Sequence, residues 1–276
     1  MQQTSYRTIW LSDLHLGSRN TNSAYLFDFL RHHEAEYLYL VGDIFDLWLV
    51  NSDWHWPAVN DRIIDLIFAR CRNGTKVFYI PGNHDGMLRR HAPTDVRGVH
   101  LVAEAIHRTA DGRRFLVLHG DEFDPVSTYS GWLARLGSKA YEFLLRLNRY
   151  VSLCRRKLGL GYWSLSAFLK HQVKEVVNFL GSFKQEIAAE ARRREVDGLI
   201  CGHVHHASYE EVGGVIYTNT GDWVESCTAL VENFDGTLQI IHWAEQHTLV
   251  FDEQAHFAAQ EAHAHCYRDR RLAPAS

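Results

Sequence analysis

The sequence predicts an α/β protein, and three observations lead there. Short runs rich in β-branched, aromatic and leucine residues alternate with amphipathic segments through the first 120 residues. Each run stops at a turn made of Gly, Asp, Asn or Pro. The residues just past those stops are Asp, Asn and His, at the carboxyl ends of strands, where α/β sheets display their functional groups.

Taken in order, Thr8–Leu11 is a strand ending at Ser12-Asp13, Tyr37–Val41 a strand ending at Gly42-Asp43, and Lys76–Ile80 a strand ending at Pro81-Gly82-Asn83. Asn22 to His33 and Val59 to Cys71 place apolar residues at helical spacing, and Asn73-Gly74 supplies a C-cap for the second. The result is a βαβαβ pattern. Arg114 to Leu118 forms a further strand ending at His119-Gly120-Asp121, and Gly198–Cys201 one ending at Gly202-His203. Successive strand-end polar positions lie 28, 40 and 36 residues apart (15, 43, 83, 119), but the next interval, 119 to 203, is 84. An insertion therefore falls there, helical in period from Tyr129 to Arg194. After His205, hairpin signals at Gly213-Gly214 and Asp235-Gly236 mark short strands up to His242, and a helix with a frayed end follows from Ala244. The division is a core of residues 1–124 and 197–243, a helical cap of 125–196, and a tail of 244–276.

Composition narrows the functional classes. With 276 residues, 46% hydrophobic and 22% charged, the chain can bury a large core and fits neither a fibrous nor a disordered protein. The best apolar stretch, Tyr37 to Val50, is cut by Asp43 and Asp46 and falls short of the 18 or so residues that span a bilayer. The first residues develop no apolar core of secretory length, and the 5 cysteines are scattered without a CxxC pair, so the expected setting is the reducing cytoplasm. Net charge is −4, yet residues 125–195 hold 13 Lys+Arg against 5 Asp+Glu.

The 18 histidines gain meaning from their positions. Asp13-x-His15, Gly42-Asp43, Gly82-Asn83-His84-Asp85, His119-Gly120-Asp121 and Gly202-His203-x-His205 stand at five strand ends in order. Oxygen and imidazole donors brought together at one sheet edge make a mixed site suited to Mn, Fe or Zn, and seven such donors suit two ions better than one.

These five blocks, in this order, resemble the calcineurin-like metallophosphoesterase superfamily over roughly residues 8 to 226. The resemblance implies a four-layer αββα sandwich with two mixed sheets face to face. It implies that Asp13, His15, Asp43 and His205 hold one divalent ion and that Asp43, Asn83, His119 and His203 hold a second, with Asp43 shared and Mn the expected metal, Fe or Zn being alternatives. His84 would stabilise charge on the phosphoryl group or protonate the leaving oxygen, Asp85 would orient it, and Asp121 would support a ligand from behind.

Within the superfamily, Ser12–Gly17 (SDLHLG), Gly42–Trp48 (GDIFDLW), His119–Asp124 (HGDEFD) and Asn219–Glu225 (NTGDWVE) are similar to the UDP-2,3-diacylglucosamine pyrophosphatase group. That similarity implies cleavage of a lipid-linked sugar nucleotide to UMP and an acylated sugar 1-phosphate. The group typically has Arg after the Asn ligand, where this chain has His84, so another phosphodiester, pyrophosphate or nucleotide is the alternative substrate, and a silent metal-binding protein the alternative from another class. The insertion adds its own signal. Trp132, Leu136, Phe143, Leu147, Tyr162, Trp163, Phe168 and Phe179 suit an acyl groove or ordinary packing, while Arg149, Arg155, Arg156 and Lys157, with Arg192 to Arg194, suit an anionic lipid surface at the inner face of the membrane. The acidic overall balance points away from nucleic acid. Asp46 is a substrate-contact candidate, and Trp48, Trp54 and Trp56 are either base-stacking or buried aromatics. In the tail, His256, His263, His265 and Cys266 have metal-like spacing, read as incidental.

Overall fold

The computed structural model describes residues 3–123 and 181–246. The expected cap contacts Arg149, Arg155, Arg156 and Lys157, and the tail histidines, lie outside the described residues.

Strand β1 (Thr4–Leu11), β2 (His33–Val41) and β3 (Lys76–Ile80) pair in parallel, joined by helices α1 (Ser23–His32) and α2 (Ala58–Arg72). Their apolar runs form strands because both faces are covered: residues 8–11 of β1 and 38–41 of β2 are buried without alternation. β4 (Thr94–Val96) and β5 (Val99–Leu101) complete one edge, and β11 (Thr228–Glu232) and β12 (Leu238–His242) the other, giving the order β12-β11-β1-β2-β3-β5-β4. A second sheet has the order β6-β7-β8-β10-β9, from β6 (Ala105–Arg108), β7 (Arg114–Val117), β8 (Gly198–Cys201), β9 (Ser208–Val212) and β10 (Val215–Asn219).

Three apolar clusters separate four layers. α1 and α2 bury Leu26, Phe29, Leu30, Ile63 and Ile67 on the outer face of the first sheet. Trp10, Tyr39, Ile80, Phe115, Val117 and Ile200 fill the space between the sheets. A third helix, α3 (residues 181–193), buries Phe183, Ile187, Ala188 and Ala191 on the outer face of the second sheet. The protein is thus an αββα sandwich, as its sequence predicts. In the sequence analysis, residues 181–193 belong to the cap. Their apolar positions, spaced four, one and three apart, are instead the stripe that covers the second sheet. The reading also passed over β4, β5 and β6, which are three or four residues long and partly exposed, too short to show a period.

One polar element interrupts the layer between the sheets. Glu232, fully buried, accepts hydrogen bonds from Arg7 Nη1 (2.8 Å), Thr8 Oγ1 (2.6 Å), His107 Nε2 (2.9 Å) and the Ala110 N–H (2.7 Å). Burial opposes the ionised carboxylate, but these donors outweigh it and lower the Glu232 pKa. A carboxylate lowered on folding adds stability that is complete above its unfolded pKa of about 4.3 and disappears as pH falls through the lower folded value. Glu232→Ala should therefore cost about 3–5 kcal/mol near neutrality by urea denaturation, because it strands Arg7 beside a buried, emptied contact. Glu232→Gln should flatten the loss of stability below about pH 4.3; an unchanged acid limb would rule this network out as its source.

Candidate metal centre

The chain ends of strands from both sheets meet at one edge. β1, β2 and β3 deliver Asp13, Asp43 and Asn83 from the first sheet, while β7 and β8 deliver His119, His203 and His205 from the second. The loops after β1 and β2 continue to pair beyond their strands: the Asp13 N–H donates to the Gly42 carbonyl (3.0 Å), His15 to Asp43 (2.8 Å) and Leu16 to Ile44 (2.9 Å), and Asp46 donates back to Leu16 (2.9 Å). Side chains on these two loops are consequently fixed relative to each other.

Asp43 sits at the centre. Its Oδ2 lies 3.5 Å from His119 Nε2 and 3.9 Å from both His15 Nε2 and His84 Nε2, while Oδ1 accepts the His84 N–H at 2.7 Å. Asp13 forms the neighbouring point, with Oδ1 3.1 Å from His205 Nε2 and Oδ2 accepting the His203 N–H at 3.0 Å. His15 Nε2 is 3.4 Å from His205 Nε2, and the His203 ring meets His119 edge-on at 5.3 Å. Two groups, Asp13/His15/His205 and Asp13/Asp43/His119, each hold their donor atoms within 4.8 Å of one another.

These donors suit divalent cations. His119 Nδ1 donates to the Val41 carbonyl at 3.0 Å, which turns Nε2 toward the carboxylates. His119 Nε2, Asn83 Oδ1 and Asp13 Oδ1 are buried yet make no well-aligned hydrogen bond among the described residues. Such atoms carry a desolvation cost that a cation offsets. Burial disfavours the charged forms, but His205 and His119 hold the Asp13 carboxyl down at about 2, and the carboxylates raise His205 to about 9 and His119 to about 10. Asp43 is lowered further still, against its burial, chiefly by His119. The carboxylates thus favour the protonated forms of His119 and His205, and a divalent cation bound here would take the place of those protons.

The backbone is bent to make this possible. Asp13, His15, Asp43, His203 and His205 all have left-handed φ, between 48° and 71°, a conformation costing about 1–3 kcal/mol for such residues. Gly42 (φ +80°) leaves room for the His119 ring, which a Cβ there would strike at 2.0 Å. A Cβ at Gly202 would come within 2.4 Å of both Asp13 Oδ2 and Ser12 Oγ.

Around this centre, one expectation is corrected. Asp85 does not orient His84: its carboxylate accepts the Gly82 N–H (2.6 Å), the Ile44 N–H (2.8 Å) and the Tyr79 hydroxyl, tying the second and third strand-end loops together. His84 Nδ1 donates instead to Asp46 Oδ1 at 2.9 Å. The sequence reading missed this role for Asp46, which the signal of a second Asp three residues after Asp43 on the same turn would have suggested. Asp121 is ion-paired with Arg89, whose guanidinium also donates to the Pro81 carbonyl (3.0 Å) at the base of the Asn83 loop. Among the aromatic candidates, Trp48 stacks on His84 (3.7 Å), and Trp54 stacks on Trp56 (5.3 Å) and covers Gly17.

A family model described as calcineurin-like phosphoesterase matches residues 6–207, from β1 through the His203-x-His205 loop. The chain belongs to that family. It is therefore a metal-dependent phosphoesterase. Curated relatives include proteins named UDP-2,3-diacylglucosamine hydrolase from Psychromonas ingrahamii (25% identical over 75% of this chain and 83% of the relative) and Xanthomonas campestris pv. campestris (26% identical over 83% and 96%). Solved structures similar to this chain include vacuolar protein sorting 29 from Cryptosporidium parvum (14% identical, TM-score 0.40, covering 85% of this chain and 94% of that one) and the hypothetical protein PH1004 from Pyrococcus horikoshii (10% identical, TM-score 0.45, 87% and 88%). Among the described residues of this phosphoesterase, no helix is long and apolar enough to cross a membrane.

Gly202→Ala should push Asp13 out of the cluster and weaken metal affinity about 10- to 100-fold, while the far-ultraviolet circular dichroism spectrum stays as in the wild type. Metal content after dialysis, read by inductively coupled plasma mass spectrometry, tests this; full metal retention would show that Asp13 is not needed where it stands.

Proposed function

We propose that this phosphoesterase is a two-metal hydrolase of the pyrophosphate in a UDP-linked acylated sugar, releasing UMP and the sugar 1-phosphate. One observation carries the two-metal part: Asp43 Oδ2 faces both His15 Nε2 (3.9 Å) and His119 Nε2 (3.5 Å), and the buried Asp13 Oδ1, Asn83 Oδ1 and His119 Nε2 make no well-aligned hydrogen bond among the described residues. On this reading Asp13, His15, Asp43 and His205 hold one ion, and Asp43, Asn83, His119 and His203 the other; Mn is the proposed metal, and Fe and Zn are the alternatives that the same mixed nitrogen and oxygen set accepts. When bound, the ions supply charge neutralisation at the phosphoryl oxygens and acidify the attacking water.

The remaining chemistry belongs to the protein. His84, with Nδ1 committed to Asp46, directs Nε2 at the centre beside Asp43. From there it donates to a phosphoryl oxygen or to the departing oxygen, while Asp46 keeps the imidazole in that tautomer. Asp46 is itself lowered well below the usual carboxylate range, against its burial, by hydrogen bonds with His15 and His84, so it serves as acceptor throughout.

The lipid-linked substrate is supported by the names of the relatives, which span most of this chain's length, and by the basic, aromatic-rich composition of residues 125–195. The same composition supports action at the inner face of the membrane. A second reading, a phosphodiesterase of broader range, is favoured by His84 itself, which stands where that group typically has Arg.

Two experiments test these statements. His84→Ala should keep its metal and lose about 10²-fold or more in turnover; an unchanged rate would remove His84 from the chemistry. Purified protein with Mn²⁺ should release UMP from UDP-2,3-diacylglucosamine far faster than p-nitrophenol from bis-p-nitrophenyl phosphate, and the reverse preference would replace the first reading with the second.

A further inference from the structure

His84 is held on three sides. Its Nδ1 donates to Asp46 (2.9 Å), its face lies on the Trp48 indole with centroids 3.7 Å apart and planes at 23°, and His15 meets it edge-on at 4.6 Å and 88°. The Nε2 is left facing Asp43 Oδ2 at 3.9 Å.

A single hydrogen bond at Nδ1 fixes one atom of the ring and leaves its plane free to swing, since the outer torsion of histidine has a broad, shallow minimum. A flat wall against one face removes that freedom. Trp48 is well placed to be the wall. It sits on a short 3₁₀ turn, Leu47–Leu49, that starts directly after Asp46, with the Leu49 N–H donating to the Asp46 carbonyl at 3.1 Å. Asp46 is in turn tied to Leu16 on the neighbouring ligand loop. One pinned turn thus delivers both the hydrogen-bond acceptor and the stacking surface to the same imidazole, and references both to the metal centre. Of the two roles open to Trp48 from the sequence, base stacking or packing, the structure shows the indole packed on His84.

We propose that Trp48 is a positioning residue, confining the plane of His84 so that Nε2 points at the phosphoryl group held beside Asp43. The inference rests on the role given to His84 above. An imidazole offers one N–H in one direction, so its contribution falls quickly with misalignment; displacement of a reacting group by about 1 Å can cost about 10²-fold in rate.

The test uses the full chain loaded with Mn²⁺ and bis-p-nitrophenyl phosphate, comparing wild type with Trp48→Phe, Trp48→Leu, His84→Ala and the Trp48→Leu/His84→Ala double variant. Trp48→Leu keeps an apolar side chain, though a smaller one, and loses the flat face. It should retain bound metal and KM and lose about 10- to 100-fold in kcat. Trp48→Phe, which restores a flat ring, should recover most of that loss. In the His84→Ala background, Trp48→Leu should cost nothing further, because a residue acting through His84 has nothing left to position. An equal loss in both backgrounds, or Leu and Phe variants of equal activity, would overturn the proposal. A large loss in His84→Ala beside a wild-type rate in Trp48→Leu would overturn it while leaving His84 in place. A wild-type rate in His84→Ala would take away the role of His84 and this inference with it.

Discussion

Three carboxylates, those of Asp13, Asp43 and Asp46, are buried within one small volume, and the rest of the structure can be understood as the means of keeping them there. Charge taken out of water is costly unless opposite charge and hydrogen bonds stand around it. Here the compensation comes from His15, His84, His119 and His205, from the His84 and His203 backbone N–H groups, and, on the reading developed above, from a pair of divalent cations. The unsatisfied Asn83 Oδ1 and His119 Nε2 mark where histidine compensation stops.

No single element could supply this arrangement. The donors come from the carboxyl ends of five strands in two sheets, and they converge because the sheets pack face to face over Trp10, Tyr39, Phe115 and Ile200. Precision then comes from loops that brace each other. Asn219, the last residue of β10, donates to the Gly202 carbonyl, the Trp223 N–H donates to the Asp13 carbonyl (3.1 Å), and Ser12 Oγ reaches both Asp13 and Gly221. Asp85 and Arg89 do the same work on the Asn83 loop. Left-handed backbone at Asp13, His15, Asp43, His203 and His205, five of the candidate ligand positions, is held in place by these braces, a local strain that folds tolerate at functional sites.

Much of this was legible in the sequence, for a physical reason. Buried parallel strands read as apolar runs, and chemistry placed directly at their ends leaves the pattern Asp-x-His, Gly-Asp, Gly-Asn-His in plain order. Lys76–Ile80 and Gly198–Cys201 match their predicted bounds, because Gly and Pro punctuate them. What escaped the reading depended on three-dimensional neighbours. Asp85 and Asp46 are both carboxylates near His84 in the fold, and adjacency in sequence favoured the wrong one. An Asp that follows a His directly is carried away from it by the backbone, whereas Asp46, 38 positions earlier, is brought to it by pairing of the strand-end loops. Strands β4 to β6 were too short for periodicity, and α3 carried a stripe whose destination, sheet or cap, periodicity alone does not specify.

The central claim is that the Asp43 carboxylate is shared by two cations. Anomalous scattering from a crystal of the wild-type protein soaked in Mn²⁺ measures this directly. The account predicts two peaks, about 3.5–4 Å apart, one on the side of Asp13, His15 and His205 and one on the side of Asn83, His119 and His203, with Asp43 between them. A single peak, or a pair that does not have Asp43 in common, would contradict it.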